Sequence, residues 1–163
     1  MATERFPKLT ICGVHELDSL DLPGFSHVIS IWDPVWMDRG THIEKLRGKL
    51  APEAKTHFTY MHDIAKPTDE QVLPTAEKIA EILEFGRGIT DADNLLVHCW
   101  AGVSRSTAVA YSLLCSLSQP GEEKTCLTTM RKSRPQAMPN ELIIALADDL
   151  LDRRGAMGRA CKK

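Results

Sequence analysis

The amino-acid sequence predicts an α/β layered domain. Short strand-like runs alternate with segments of helical period, and the last part of the chain reads as helices, which is typical of helices layered on a sheet. The 163 residues are 43% hydrophobic, enough for one domain to form a core without disulfide or metal support. Because no repeat, low-complexity segment or linker interrupts the pattern, we predict a single domain over residues 1–163.

The first half of the chain predicts three strands and two helices. Residues 9–14 and 27–32 are short, apolar strand candidates, and Asp33-Pro34 stops the second. Residues 41–50 form a weak helix pattern that ends before Pro52, and residues 55–61 alternate loosely as a further strand. Residues 71–85 repeat apolar side chains at spacings of four, three and four, which predicts an amphipathic helix.

The second half predicts one buried strand and three helices. Residues 95–99 are short and apolar after a turn, which favours a buried strand over a helix segment. Residues 104–117 are apolar on most faces and predict a central buried helix. Two more helices are predicted over residues 122–131 and 140–151, the latter with Leu142, Leu146 and Leu150 in one stripe.

Charge and cysteine content exclude several classes of protein. The net charge of −2 provides no general attraction for nucleic acid or anionic membranes. The five cysteines are odd in number and lack zinc-ligand spacing, which argues against a disulfide framework and a structural zinc site. No run approaches the roughly 20 apolar residues of a membrane span, and we find no signal peptide. We therefore expect a cytoplasmic protein with free thiols and no membrane insertion.

The most informative stretch is His98-Cys99-Trp100-Ala101-Gly102-Val103-Ser104-Arg105-Ser106. A bare Cys-x5-Arg pattern would occur by chance about 0.3 times in a chain of this composition. Adding the histidine, the glycine and the two serines lowers this to the order of one in 10^5. The extended motif is therefore specific.

Its position between a predicted strand and a predicted helix suits phosphate binding. A loop of this length can turn the backbone N–H groups of Trp100, Ala101, Gly102, Val103 and Ser104 toward one anion, assisted by the positive end of the helix. Arg105 can hold phosphate oxygens with its planar fork. The same donors favour a Cys99 thiolate as nucleophile for a phosphocysteine intermediate, and Ser106 can donate to the departing sulfur.

Protonation of the leaving oxygen requires a general acid near this loop. Asp63 follows the predicted strand over residues 55–61, and active residues in open α/β sheets lie at the carboxyl ends of strands. Asp69 and Glu70 compete for the role in the same loop. We predict Asp63, since a strand end holds a side chain more firmly than a loop interior does.

These residues resemble the dual-specificity-like branch of the protein tyrosine phosphatase superfamily, whose members carry Cys-x5-Arg. Residues 95–106 are similar to its signature, residues 24–31 to its early strand, and residues 130–140 to its late Arg-Pro-x-x-x-Pro-Asn turn. The chain looks most like small single-domain bacterial members. The resemblance implies a central, mostly parallel sheet flanked by helices. It also implies Cys99 as nucleophile, Arg105 as phosphate ligand, Ser106 as the assisting hydroxyl, Asp63 as acid, and no cofactor or metal.

The expected function is a cysteine-dependent phosphomonoester hydrolase acting on phosphotyrosine, and also on phosphoserine or phosphothreonine, in proteins. The loop lacks the additional basic residues of relatives that act on polyphosphorylated inositols. Two alternatives stay open: a phosphatase for a small metabolite or lipid headgroup, and a non-catalytic module that binds phosphate. The sequence leaves the oligomeric state undetermined. Asp69 fits the family's usual spacing from the cysteine better than Asp63 does, and we interpret residues 65–70 as a small insertion.

Overall fold

The computed structural model of the protein describes residues 5–34, 39–66 and 72–162. Within these ranges, short strands form a single sheet, and each ends near the same edge. They are β1 (Lys8–Gly13), β2 (His27–Trp32), β3 (Lys55–Tyr60) and β4 (Asn94–Cys99). All four strand predictions are therefore found within one or two residues of their expected bounds.

The sheet has the strand order β1-β4-β2-β3, and each pairing is parallel. The register places Gly13 beside Cys99 and Trp32 beside Tyr60. Because parallel strands end at the same edge, the segments that follow β2, β3 and β4 meet there. The predicted mostly parallel sheet is confirmed.

Side chains along each strand alternate between the two faces of the sheet, so both faces are apolar. Helices cover each face and form two apolar clusters with it. One cluster packs Cys12, Val28 and Leu96 against α1 and two short 3-10 turns. The other packs Ile11 and Ile29 against the remaining helices. The helices are α1 (Arg39–Lys49), α2 (Ala76–Gly86), α3 (Arg105–Ser116), α4 (Glu123–Ser133), α5 (Glu141–Leu150) and α6 (Ala156–Cys161).

Local chemistry explains where the helices begin. The predicted helix over residues 71–85 begins only at Ala76, because Pro74 interrupts the pattern and Thr75 caps the helix by accepting a hydrogen bond from Lys78 N at 3.2 Å. Asn140 caps α5 in the same way through Ile143 N at 3.0 Å. The short α6 was not predicted. It follows Gly155, whose φ of 83° is readily adopted by glycine.

The helix α3 lies in the centre of the larger cluster, as its sequence predicted. Every residue from Arg105 to Cys115 is buried. The helix starts directly after the loop that follows β4, so a fully packed element fixes the position of that loop. In the described ranges, no helix has the length and apolar character needed to cross a membrane.

Candidate active site

The loop between β4 and α3 has its carbonyl groups tied outward. Each of its five residues offers a carbonyl oxygen to a donor from the surrounding structure. These hydrogen bonds are Val14 N to Trp100 O (2.9 Å), Arg134 Nη2 to Ala101 O (3.0 Å), Arg134 Nε to Gly102 O (2.9 Å), Met138 N to Val103 O (2.8 Å) and Asn140 N to Ser104 O (3.1 Å). With the carbonyls committed outward, the loop has its N–H groups available to an anion at the centre.

Gly102 allows this loop to pack closely against β1. Its φ is +72°, and a Cβ at this position would lie 2.4 Å from the carbonyl carbon of Cys12. No residue with a side chain fits without moving backbone. The result is a loop seated on the strand, with Gly102 N donating to Cys99 Sγ at 3.3 Å.

Cys99 is buried at the base of the loop with a hydroxyl beside its sulfur. The residue is 2% exposed, and as a thiol it donates to Ser106 Oγ at 3.1 Å. Once Cys99 is ionised only the serine has a proton to give, so the direction of this hydrogen bond reverses. Ser106 and Gly102 N then both stabilise negative charge on sulfur.

Arg105 is held at the edge of the sheet by groups from two other strand ends. Its Nη1 donates to Asp33 Oδ1 at 2.9 Å, after β2, and to Met61 O at 2.8 Å, after β3. The side chain is 6% exposed, yet its buried Nε has no hydrogen-bond partner among the described residues. A buried, unpaired N–H of a cation is a costly feature that an anionic ligand would satisfy.

His98 supports the loop from below. Its Nδ1 lies 3.3 Å from Cys99 O, which can only accept, so Nδ1 carries the proton and Nε2 accepts from Ser30 Oγ at 2.6 Å. Burial lowers the pKa of His98 to about 4. A neutral histidine at pH 7 suits an orienting role.

Asp63 lies next to Ser104, the last residue of the loop before α3. Ser104 Oγ donates to Asp63 Oδ1 at 2.7 Å, and Asn140 Nδ2 donates to the same oxygen at 2.9 Å. The residue itself is exposed. The structure thus brings Asp63 to the loop, as the strand-end argument predicted, whereas Asp69 and Glu70 lie outside the described residues.

Sequence reasoning missed Glu16, Asp33, Arg134 and Asn140, which position the loop or its arginine. Arg134 forms a two-point ion pair with Glu16, at 2.6 and 2.7 Å, while it holds the carbonyls of Ala101 and Gly102. This pair lowers the pKa of Glu16, chiefly through the hydrogen bond from Arg134. The Arg-Pro-x-x-x-Pro-Asn resemblance could have drawn attention to Arg134 and Asn140, and the strand end at Asp33-Pro34 to Asp33.

The other buried cysteines pack in the apolar interior of the protein. Cys12, Cys115 and Cys126 are buried, and burial raises the pKa of Cys12 to about 12, so it remains a thiol. The described parts of the chain contain no group of three His, Cys, Asp or Glu side chains placed to hold a metal ion. The reactive side chains that the structure brings to the loop are Cys99, Arg105, Ser106 and Asp63.

Comparisons with known proteins find similar phosphatases. The chain is 31% identical over 124 residues to dual specificity protein phosphatase 15 of Rattus norvegicus and 30% identical over 124 residues to that of Mus musculus. Each alignment covers 73% of this chain and 51% of the relative, so the chain spans about half the length of the relatives it matches. No protein-family model matches the chain.

Solved structures share the fold across nearly all of the chain. The crystal structure of DUSP15 superposes with a TM-score of 0.60 at 19% identity, covering 97% of this chain and 93% of that one. PTPMT1 gives 0.56 at 15% identity, covering 98% and 99%. Tk-PTP in its active form gives 0.54 at 20% identity, covering 94% and 99%. At these identities the likeness establishes the fold.

Proposed function

Because the chain belongs to the dual-specificity-like branch of the protein tyrosine phosphatase superfamily, we propose that it is a cysteine-dependent phosphomonoester hydrolase. Its catalytic domain covers residues 1–163, and its substrates are phosphotyrosine, together with phosphoserine or phosphothreonine, in proteins. One observation carries the proposal: the five carbonyls of the loop after Cys99 are hydrogen-bonded outward, which leaves its N–H groups to a phosphate above the sulfur.

The first step transfers the phosphoryl group to the enzyme. The Cys99 thiolate attacks phosphorus, and the S–P bond forms while the bond from phosphorus to the substrate oxygen breaks. Asp63 gives its proton to that oxygen. Arg105 and the loop N–H groups neutralise charge on the three remaining phosphoryl oxygens. The free Nε of Arg105 supports this role, because it provides a buried donor without a partner among the described residues.

The second step releases phosphate. Water attacks phosphorus, the Asp63 carboxylate takes a proton from this water, and the S–P bond breaks. Cys99 leaves as a thiolate that accepts the hydrogen bond of Ser106, whose Oγ lies 3.1 Å from the sulfur. A hydroxyl at that distance makes the sulfur a better leaving group.

The surroundings of the site favour an aromatic phosphoester on a protein over a highly charged headgroup. Three of the four exposed large apolar side chains in the described residues, those of Val72, Trp100 and Met138, belong to residues whose backbone lies next to the site. Trp100 follows Cys99, Met138 N donates to Val103 O, and Val72 N donates to Nδ1 of His62 beside Asp63. No lysine or second arginine occurs in residues 100–104 to bind further phosphates.

A reducing compartment, the cytoplasm, fits this chemistry. All five cysteines are free thiols, and oxidation of a thiolate nucleophile would stop turnover. The net charge of −2 supports recognition of phosphate by one local site, with no nucleic-acid partner.

The test is hydrolysis of an aryl phosphate by the wild type, Cys99→Ser and Asp63→Ala. We expect no turnover from Cys99→Ser and a loss of about 10²- to 10⁴-fold in kcat from Asp63→Ala with KM nearly unchanged. Normal turnover by Cys99→Ser would refute the mechanism. If Asp63→Ala kept the wild-type kcat and Asp69→Ala lost it, Asp69 would be the general acid. A panel of phosphopeptides, sugar phosphates and phosphoinositides then tests the substrate class, for which we expect phosphotyrosine peptides to give the highest kcat/KM.

A further inference from the structure

Asn140 joins the acid segment to the phosphate loop. Its backbone N donates to Ser104 O at 3.1 Å, and its side chain reaches across 77 positions of sequence to Asp63. The residue is 7% exposed. A buried amide at this junction connects two segments that must lie close together in the proposed reaction.

Every hydrogen-bonding group of this amide has a defined use. One N–H donates to Asp63 Oδ1 at 2.9 Å and the other to Ile64 O at 3.1 Å, while Oδ1 of Asn140 accepts from Ile143 N at 3.0 Å. The last of these bonds is an ordinary helix N-cap. The first two go beyond capping, since a serine or aspartate would cap α5 about as well without donating to Asp63.

Both donors to Asp63 select the same carboxyl oxygen. Ser104 Oγ and Asn140 Nδ2 each donate to Oδ1. A proton on Oδ1 would compete with these two hydrogen bonds, so the acidic proton is directed to Oδ2. A general acid works only if the proton faces the leaving oxygen, and the two bonds to Oδ1 specify which oxygen carries it.

We propose that Asn140 is a positioning residue for the general acid: it fixes Asp63 against the phosphate loop with Oδ2 as the proton-bearing oxygen. The inference rests on the proposed function of Asp63. Asn140 does not touch the reacting atoms and acts through Asp63 alone. It therefore matters only when the leaving oxygen needs a proton.

The experiment compares two substrates that differ in this need. Phenyl phosphate releases a basic phenolate that requires the acid, whereas dinitrophenyl phosphate releases a stable anion that does not. The variant is Asn140→Ser, which keeps a capping oxygen for α5 but removes the donor to Asp63. Thr75→Ala is the matched control. The Thr75 side chain caps α2 by accepting a hydrogen bond from Lys78 N, so this variant also loses a helix cap but leaves Asp63 untouched.

We expect Asn140→Ser to lose at least about tenfold in kcat on phenyl phosphate, a part of the 10²- to 10⁴-fold contribution of a general acid. On dinitrophenyl phosphate it should stay within about twofold of the wild type. Thr75→Ala should lower the melting temperature without selectivity between the two esters. The double variant Asp63→Asn with Asn140→Ser should be no slower than Asp63→Asn alone, because the two residues act as one unit.

Equal losses of Asn140→Ser on both esters, or additive losses in the double variant, would overturn the positioning role while the proposed function stands. A wild type that hydrolyses neither ester would overturn the proposed function itself. An active wild type whose Asp63→Asn variant shows no selectivity between the esters would overturn Asp63 as the acid, and Asn140's role with it.

Discussion

Replacing Gly102 with alanine should disable the phosphate loop without unfolding the protein. The residue has a φ of +72°, and an added Cβ would lie 2.4 Å from Cys12 C, 2.6 Å from Gly13 N and 2.8 Å from Arg134 Nη2. Two of these atoms belong to the backbone of β1 and cannot turn aside as a flexible side chain could. The loop must therefore shift away from the strand.

Two contributions make up the free-energy cost of placing alanine at position 102. A left-handed conformation costs an alanine roughly 1–2 kcal/mol, and a shift that breaks the bond from Arg134 Nε to Gly102 O, 2.9 Å long, adds about 1–3 kcal/mol. A total near 3 kcal/mol lowers the population of the binding conformation on the order of 100-fold. We expect a loss of this size in both kcat/KM on an aryl phosphate and the affinity for vanadate, an oxyanion that binds where phosphate would.

Gly48→Ala is the matched control. Gly48 lies within α1, and a Cβ added there would meet no described atom within 4 Å apart from its chain neighbours and the backbone of its own helix. Alanine at this position should leave vanadate inhibition unchanged and stabilise the protein by about 0.5–1 kcal/mol. A Gly102→Ala protein that binds vanadate within about threefold of the wild type would refute the close-packing argument.

Three further predictions concern pH, loop support and metals. Burial lowers the pKa of His98 to about 4 in the folded protein, against about 6.5 in the unfolded chain. As the pH falls, the unfolded chain therefore binds this proton first, and the free energy of unfolding falls by about 2 kcal/mol between pH 7 and pH 5. Urea midpoints of His98→Gln should show a smaller fall, and an unchanged pH dependence would contradict the burial of a neutral ring. Arg134→Lys keeps the charge but cannot hold Glu16 and two loop carbonyls together, so kcat/KM should drop about tenfold or more in steady-state assays; wild-type kinetics would show that the clamp is dispensable. EDTA should leave the hydrolysis rate unchanged, and inhibition reversed by added metal would refute a thiolate mechanism without metal.

Local sequence patterns were sufficient for most of the fold. Strand β4 and helix α3 follow from an apolar run and a helix with buried residues on all sides, because packing there agrees with local propensity. The short helix α6 has no comparable pattern. It depends on packing of Met157 and Ala160 and on the hydrogen bond from Tyr111 Oη to Met157 O at 2.9 Å, which joins residues distant in sequence.

The site divides in the same way. Cys99, Arg105 and Ser106 lie within eight consecutive positions, so one motif identifies them. Glu16 and Arg134 are 118 positions apart. The Arg-Pro-x-x-x-Pro-Asn resemblance draws attention to Arg134, but no local pattern indicates that it pairs with Glu16. Such long-range pairs depend on the strand order, which brings the ends of β1 and α4 to one loop and which local periodicity does not specify.

The covalent role of Cys99 is the central claim, and trapping the intermediate tests it most directly. Wild type and Ser106→Ala would be mixed with an aryl phosphate, quenched in acid within milliseconds and digested for mass spectrometry of the peptide that contains Cys99. We predict one phosphate on Cys99, at higher occupancy in Ser106→Ala because breakdown of the intermediate is slowed when the sulfur loses its hydrogen-bond donor. Turnover of substrate with no phosphate on Cys99 in either protein would contradict the mechanism.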